Sequence, residues 1–143
     1  MQINPNGTEI FPDFLSVDEQ LAVLEDVRAQ IPDAPLYTPT MPRTGKSMSV
    51  RMTNFGKAGW MSDAKGYRYQ PTHPVTGSSW PQIPESILKV WASLLPDQPE
   101  PDVCLCNYYG PEAKMGLHQD RDEQDFSVPV LSISLGDTAL FRL

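Results

Sequence analysis

Apolar residues recur at helical spacing in two stretches of the chain. Leu21, Leu24, Val27 and Ile31 follow Ser16-Val17-Asp18-Glu19, a capping-box pattern with Ser16 as N-cap and Glu19 at N3, and Pro32 stops the run. A second helix is predicted from near Pro84: Ile87, Val90, Trp91 and Leu94 share a face, and Pro96 ends it. Elsewhere the period is two. Ser47 to Thr53 sets Met48, Val50 and Met52 against Ser49, Arg51 and Thr53. Asp102 to Tyr109 reads as a strand with Val103, Leu105, Asn107 and Tyr109 on one face. Val128 to Leu135 and Thr138 to Leu143 read as two more strands, joined by a turn at Gly136-Asp137. Between these elements, Gly56, Gly59, Gly66 and Gly77, with Pro71, Pro74 and Pro81, break residues 56–82 into a long irregular segment with room for a hairpin. Such a segment in a compact domain is often a functional lid. The predicted fold class is mostly β (α+β), in a single domain over residues 1–143, with no internal repeat.

Composition narrows this picture. With 143 residues the chain can bury a real core, and its 15 prolines exclude a mostly helical fold. The N-terminus has no basic region followed by an apolar run, and no stretch reaches the ~18 apolar residues of a membrane span. We therefore expect a cytoplasmic protein with no membrane partner. Cys104 and Cys106 are two apart, so on a strand they point the same way, a poor geometry for a mutual disulfide. They read as reduced core thiols.

The net charge of −7 argues against a nucleic-acid partner, but its distribution argues the other way. Residues 1–40 hold seven acids and one basic residue, Arg28. Residues 43–68 hold six basic residues (Arg43, Lys46, Arg51, Lys57, Lys65 and Arg68) against one acid, Asp63, a local charge of +5. Phe55, Trp60, Tyr67 and Tyr69 are interleaved with them. Cations and stacking rings are what unstacked bases bind to. The bland alternative is a solvated basic loop with a few core aromatics.

His118-Gln119-Asp120 is the sharpest local chemical feature. In extended backbone, positions i and i+2 point the same way, so an imidazole and a carboxylate converge on one metal ion. Two histidines and a carboxylate form the facial triad of non-haem iron(II) oxygenases, with three positions left for co-substrate and oxygen. The tripeptide alone also occurs as an ordinary surface hydrogen bond. Its context is a strand carrying Asn107 and Tyr109, then a tight Gly/Pro connection over residues 110–116. Asp122, Glu123 and Asp125 follow Asp120 closely, and such acids repel unless a cation relieves them. A solvated acidic turn stays open for Glu123 and Asp125.

Several stretches, in order, resemble the AlkB family of nucleic-acid dealkylating dioxygenases, its bacterial DNA-repair branch most closely. They are Met52-Thr53-Asn54-Phe55-Gly56, Gly59-Trp60, Gly66-Tyr67-Arg68-Tyr69, Asn107-Tyr108-Tyr109, Leu117-His118-Gln119-Asp120-Arg121-Asp122-Glu123 and Val130-Leu131-Ser132-Ile133-Ser134-Leu135-Gly136. The resemblance implies a double-stranded β-helix of the jelly-roll or cupin-like kind, with N-terminal helices and a nucleotide-recognition lid over residues 43–82. It makes His118 and Asp120 iron(II) ligands and catalytic residues. It assigns Asn107 and Tyr109, with Leu105 and Tyr108 on the same strand, to 2-oxoglutarate. Trp60, Tyr67, Arg68, Tyr69 and Asp122 fall on positions that hold the substrate nucleotide.

The implied reaction is oxidative dealkylation of bases of the 1-methyladenine or 3-methylcytosine type in single-stranded DNA or RNA, a step of alkylation repair by a monomeric enzyme. Iron(II), oxygen and 2-oxoglutarate are used, and the methyl group leaves as formaldehyde. The family pattern also needs a second metal-binding His and Arg residues for the 2-oxoglutarate carboxylate. His73 is the only other histidine and lies in the lid; Arg142 lies too early. With Phe141-Arg142-Leu143 closing the chain inside an apolar alternating run, we expect a sequence lacking its C-terminal strands, inactive as given. Two rivals remain: a non-catalytic truncated fragment that only binds nucleic acid, and a cupin-like small-molecule oxygenase, which has no need of a basic aromatic lid.

Overall fold

A computed structural model describes residues 2–3, 6–118 and 127–142. Its first elements are a short antiparallel pair, β1 (Gln2–Ile3) and β2 (Glu9–Ile10), which the periodicity does not announce. The helix α1 (Val17–Gln30) begins as its sequence predicts. The Glu19 N–H donates to Ser16 Oγ at 3.2 Å, and the Ser16 N–H donates to the Glu19 carboxylate at 2.7 Å. The buried side is less regular than the apolar spacing predicts. Val23 is the buried residue, whereas Leu21 is 49 % exposed. The spacing fixes which residues share a face, but the position of the neighbouring element decides which of them are covered, and α1 meets only α2 (Glu85–Leu94) among the helices. On α2 the predicted face is buried at Val90 and Trp91.

The centre of the molecule is β3 (Arg51–Gly56), antiparallel to β6 (Val103–Tyr108), with Met52 opposite Asn107 and Asn54 opposite Leu105. From Met52 to Phe55 every side chain of β3 is buried, so both faces are covered. Thr53 uses that burial to donate to the Ala34 carbonyl at 2.8 Å. Tyr37 docks on the other edge of β3: its N–H and carbonyl exchange 2.8 Å bonds with Met52.

The irregular 56–82 segment holds the anticipated hairpin, β4 (Gly59–Asp63) with β5 (Gly66–Gln70). Gly66, at φ 100°, supplies the left-handed turn residue. Gly59 is required for a different reason. A Cβ there would fall inside the indole ring of Trp80, which is buried and donates from Nε1 to the Gln70 carbonyl at 2.9 Å. Ala34, Tyr37, Val50, Met52, Met61 and Trp80 form the core between β3 and the hairpin. The alternation expected over Ser47 to Thr53 holds only in part: Val50 and Met52 are buried and Met48 half-buried, but the strand begins at Arg51, and Thr53 on the opposite face is buried too because both faces of β3 are covered.

His73, in the loop after β5, is buried and ties that loop down. Its Nδ1 accepts from the Val75 and Thr76 N–H groups at 3.0 and 3.2 Å, so the ring proton sits on Nε2, which donates to the Pro35 carbonyl at 2.7 Å. Both nitrogens are engaged in packing this loop, which fits the reading that His73 is no metal ligand.

The two strands expected at Val128–Leu135 and Thr138–Leu143 are not formed among the described residues. Gly136 does make a turn, at φ 95°. Among the described residues the flanking segments make no ladder hydrogen bonds, and Val130, Leu140 and Phe141 are 67, 85 and 74 % exposed. Alternation supplies a strand's faces, but the strand itself exists only through a partner's N–H and C=O groups.

Candidate functional site

Two groups of residues singled out by the sequence lie on different elements. The first sits on the hairpin. In the β4–β5 register Trp60 lies opposite Tyr69 and Ser62 opposite Tyr67, so these four share one face. Trp60 and Tyr67 meet diagonally across it, ring centroids 5.6 Å apart and planes 20° from parallel. Tyr67 is 49 % exposed and also borders a cleft of about 280 Å³ with Met41, Pro42, Arg43 and Thr44. The hairpin therefore presents a stacked aromatic surface with a cation at its border.

Arg68 is on the opposite face of the hairpin, and its guanidinium is bidentate on Asp63, at 2.8 and 2.9 Å. This Arg68 contact, helped by the Lys65 N–H, holds the Asp63 carboxyl down at about 2. Lys57 pairs with Asp102 at 2.9 Å. Of the six cations in the 43–68 window, Arg43, Lys46, Arg51 and Lys65 make no ion pair among the described residues. The excess charge counted from sequence is real, but it is carried by these four.

The support beneath Trp60 was not anticipated. Asn54 is fully buried, and its Oδ1 accepts the Trp60 N–H at 3.0 Å while its Nδ2 donates to the Trp60 carbonyl at 3.3 Å and to Tyr37 Oη at 3.0 Å. Tyr37 Oη in turn donates to the same carbonyl at 2.6 Å. Burial pushes the Tyr37 phenol up to about 12, so it remains a donor throughout the neutral range. A signal existed in the sequence: Asn54 continues the parity of Met48, Val50 and Met52, so a polar side chain occupies the core face.

The second group lies on β6 and the connection after it. Register places Leu105 and Asn107 on the face shared with Asn54 and Met52, but both are exposed where their β3 partners are buried. Tyr108, beyond Cys106 on the other face, is also exposed. Tyr109 follows the strand; its hydroxyl lies 3.9 Å from Met115 Sδ, and partial burial raises its ionisation. Cys104 and Cys106 are free thiols on one face, and burial pushes Cys104 up to about 12, far from a reactive thiolate. The connection is pinned to the hairpin side through Ser49, whose Oγ donates to the Lys114 carbonyl at 2.8 Å and accepts the Lys114 N–H at 3.0 Å.

His118 is exposed, and its Nδ1 lies 2.8 Å from the Gly116 carbonyl. A carbonyl only accepts, so Nδ1 carries a proton and, in the neutral ring, Nε2 carries the lone pair. That is the tautomer a histidine ligand presents to a metal while its other nitrogen is held by the backbone. The donor chemistry of His118 thus fits iron(II). Among the described residues no three His, Cys, Asp or Glu side chains gather into a metal-sized group. Asp120 and Asp122 lie outside the described residues.

A family model described as the 2OG-Fe(II) oxygenase superfamily matches residues 7–143. The chain belongs to that superfamily. Iron(II) and 2-oxoglutarate are the metal and co-substrate that membership in this oxygenase family implies. Within the family, the chain is 49% identical over 137 residues to an alpha-ketoglutarate-dependent dioxygenase AlkB homolog of Caulobacter vibrioides, covering 96% of this chain and 62% of that protein. It is 30% identical over 159 residues to the Arabidopsis thaliana DNA N(6)-methyladenine demethylase ALKBH1C, covering 94% of this chain and 34% of the relative. The solved structure of OsALKBH1 superposes with a TM-score of 0.59 at 28% identity, over 80% of this chain and 57% of the other. The AlkB-type resemblance of the ordered motifs is thereby borne out. This oxygenase chain spans about three-fifths of the length of its Caulobacter relative. No helix among the described residues is long and apolar enough to cross a membrane.

Proposed function

We propose that this chain belongs to an iron(II)- and 2-oxoglutarate-dependent dioxygenase that removes N-methyl groups from bases in single-stranded DNA or RNA. The observation that carries the reading is the Trp60–Tyr67 stack, bordered by Arg43 and set in a window where Arg43, Lys46, Arg51 and Lys65 make no ion pair among the described residues. A methyl group on a base's pairing edge is out of reach inside a duplex, so the nucleotide must leave the stack and find an aromatic surface elsewhere. Each base–aromatic stacking contact is worth about 1–3 kcal/mol. The cations take the phosphates, and a small-molecule oxygenase needs neither feature.

Residues 43–82 act in this reading as the nucleotide-recognition lid of a monomeric, jelly-roll dioxygenase. Trp60, Tyr67 and Tyr69 face the base, and Arg68 braces the hairpin through Asp63. Leu105, Asn107, Tyr108 and Tyr109 form the strand beside 2-oxoglutarate. His118 and Asp120 hold the iron, and Asp122 favours the positive charge of a methylated adenine or cytosine. When bound, iron(II) with 2-oxoglutarate activates oxygen for hydroxylation of the methyl carbon. The free thiols of β6 suit a reducing compartment, the cytoplasm.

The test is succinate formation from 2-oxoglutarate by the protein of the full reading frame, with iron(II) present. An oligonucleotide carrying 1-methyladenine or 3-methylcytosine should stimulate turnover and release formaldehyde, and the unmodified oligonucleotide should not. Turnover that ignores DNA and RNA but responds to small-molecule substrates would overturn the reading.

A further inference from the structure

We propose that Tyr37 and Asn54 are positioning residues that set where the Trp60–Tyr67 stack stands, and through it the selectivity for a methylated base. The inference rests on the substrate role given to Trp60 above.

The hairpin has no ladder with the central sheet: among the described residues β3 pairs with β6 and bridges Tyr37 through Met52, and β4 pairs with β5. In an antiparallel ladder every second residue turns its N–H and C=O away from its partner strand. Trp60 is such a residue, and the groups that meet it are side chains. The Asn54 amide takes the Trp60 N–H with its oxygen and the Trp60 carbonyl with its nitrogen, at 3.0 and 3.3 Å. One side chain thereby occupies the place of a neighbouring strand. Tyr37 adds a second bond to the carbonyl at 2.6 Å and bonds Asn54 at 3.0 Å.

The other ends of both residues are fixed to β3. Asn54 is part of that strand, and the Tyr37 backbone exchanges two 2.8 Å bonds with Met52. Met52 and Asn54 lie opposite Asn107 and Leu105 of β6, the strand assigned above to the co-substrate. The joint therefore sets the spacing between the stacking surface and the co-substrate strand.

Two variants and a control test this in the full-length protein. Tyr37→Phe keeps the ring against His73 and Trp80 and deletes the hydroxyl. Asn54→Asp keeps an acceptor for the Trp60 N–H and sets an oxygen against the Trp60 carbonyl. The control is Thr53→Val, equally buried on the same strand, which loses its bond to Ala34 and touches neither Trp60 nor Tyr37 by hydrogen bond. Three quantities are read: the aromatic exciton signal in circular dichroism of the free protein, the ratio of affinities for methylated and unmodified oligonucleotides, and the melting temperature.

Tyr37→Phe and Asn54→Asp should weaken the exciton signal and lower the affinity ratio about ten-fold, the size of one or two lost hydrogen bonds. Thr53→Val should lower only the melting temperature. The proposal is overturned if both variants keep the signal and the ratio, or if Thr53→Val changes them as much. Should the wild type show no preference for the methylated oligonucleotide, the functional reading fails, and the exciton comparison alone decides whether the joint positions Trp60.

Discussion

Residues 34–80 and residues 127–142 both contain alternating apolar stretches, yet among the described residues the first is knitted together and the second is not. In the first, Met52, Phe55, Met61 and Trp80 are buried, and side chains such as Asn54, Ser62 and His73 bond backbone groups of neighbouring segments. In the second, Val130, Leu140 and Phe141 stand in solvent. Apolar alternation makes a segment able to form a strand; the fate of its backbone donors and acceptors decides whether it does. Folding strength and the proposed iron ligand are accordingly separated in this chain, whereas the proposed base contact lies on the hairpin. The hairpin half holds the structure, and the histidine proposed as iron ligand lies on an exposed connection.

Mutations should respect this separation, and the largest effect belongs to the exposed half. In the protein of the full reading frame, His118→Ala should abolish iron-dependent succinate formation while leaving the melting temperature unchanged. A large loss of stability, or retained turnover, would break the contrast. In the hairpin half, Trp60→Ala should weaken binding of a methylated single-stranded oligonucleotide by about ten- to a hundred-fold, the range of one stacking contact. Binding of 2-oxoglutarate, followed in the same titration, should change far less. Equal losses would show that Trp60 supports the whole site instead of the base.

Gly59→Ala should act on stability, because its Cβ enters the Trp80 ring: about 1–3 kcal/mol lost in denaturant titration, as in other overpacked cores. The smallest effect concerns Asp63. Arg68 holds its folded-state ionisation at about 2, below the ordinary value of 3.8, so the pair adds stability above that ordinary value. The contribution is lost as pH falls toward 2. Asp63→Asn should therefore flatten the stability curve between about pH 4 and pH 2. The change should be slight, since both partners are well solvated. An unchanged acid limb would detach Arg68 from Asp63.

What the sequence made legible was chiefly local. The capping box at Ser16 and Glu19 and the proline after Ile31 act within one helical turn, so α1 could be placed closely. The Asp63–Gly66 turn likewise needs only its own glycine. Charge counting found the basic window, but it could not foresee that Asp63, the one acid in it, takes Arg68 across the hairpin. The motif order singled out His118 as a candidate ligand, and the Gly116 carbonyl two residues away accounts for its tautomer. The support of Trp60 was hidden for a different reason. Asn54 and Tyr37 lie six and 23 residues from Trp60, and their meeting depends on how the hairpin folds over β3.

The joint at Asn54 has an evolutionary consequence. Where a hairpin is stitched to a sheet by a full ladder, any insertion at its tip risks shifting the register of every strand behind it. Here the attachment is a few local bonds: Asn54 and Tyr37 meet Trp60 at the root of the hairpin, and Ser62 and Thr40 exchange bonds of 2.6 and 3.0 Å further along β4. The turn residues Ala64 and Lys65 make no hydrogen bond to β3 or β6 among the described residues, so they can be exchanged without disturbing either strand. A lineage can thereby explore new substrate contacts at the tip while inheriting the scaffold intact.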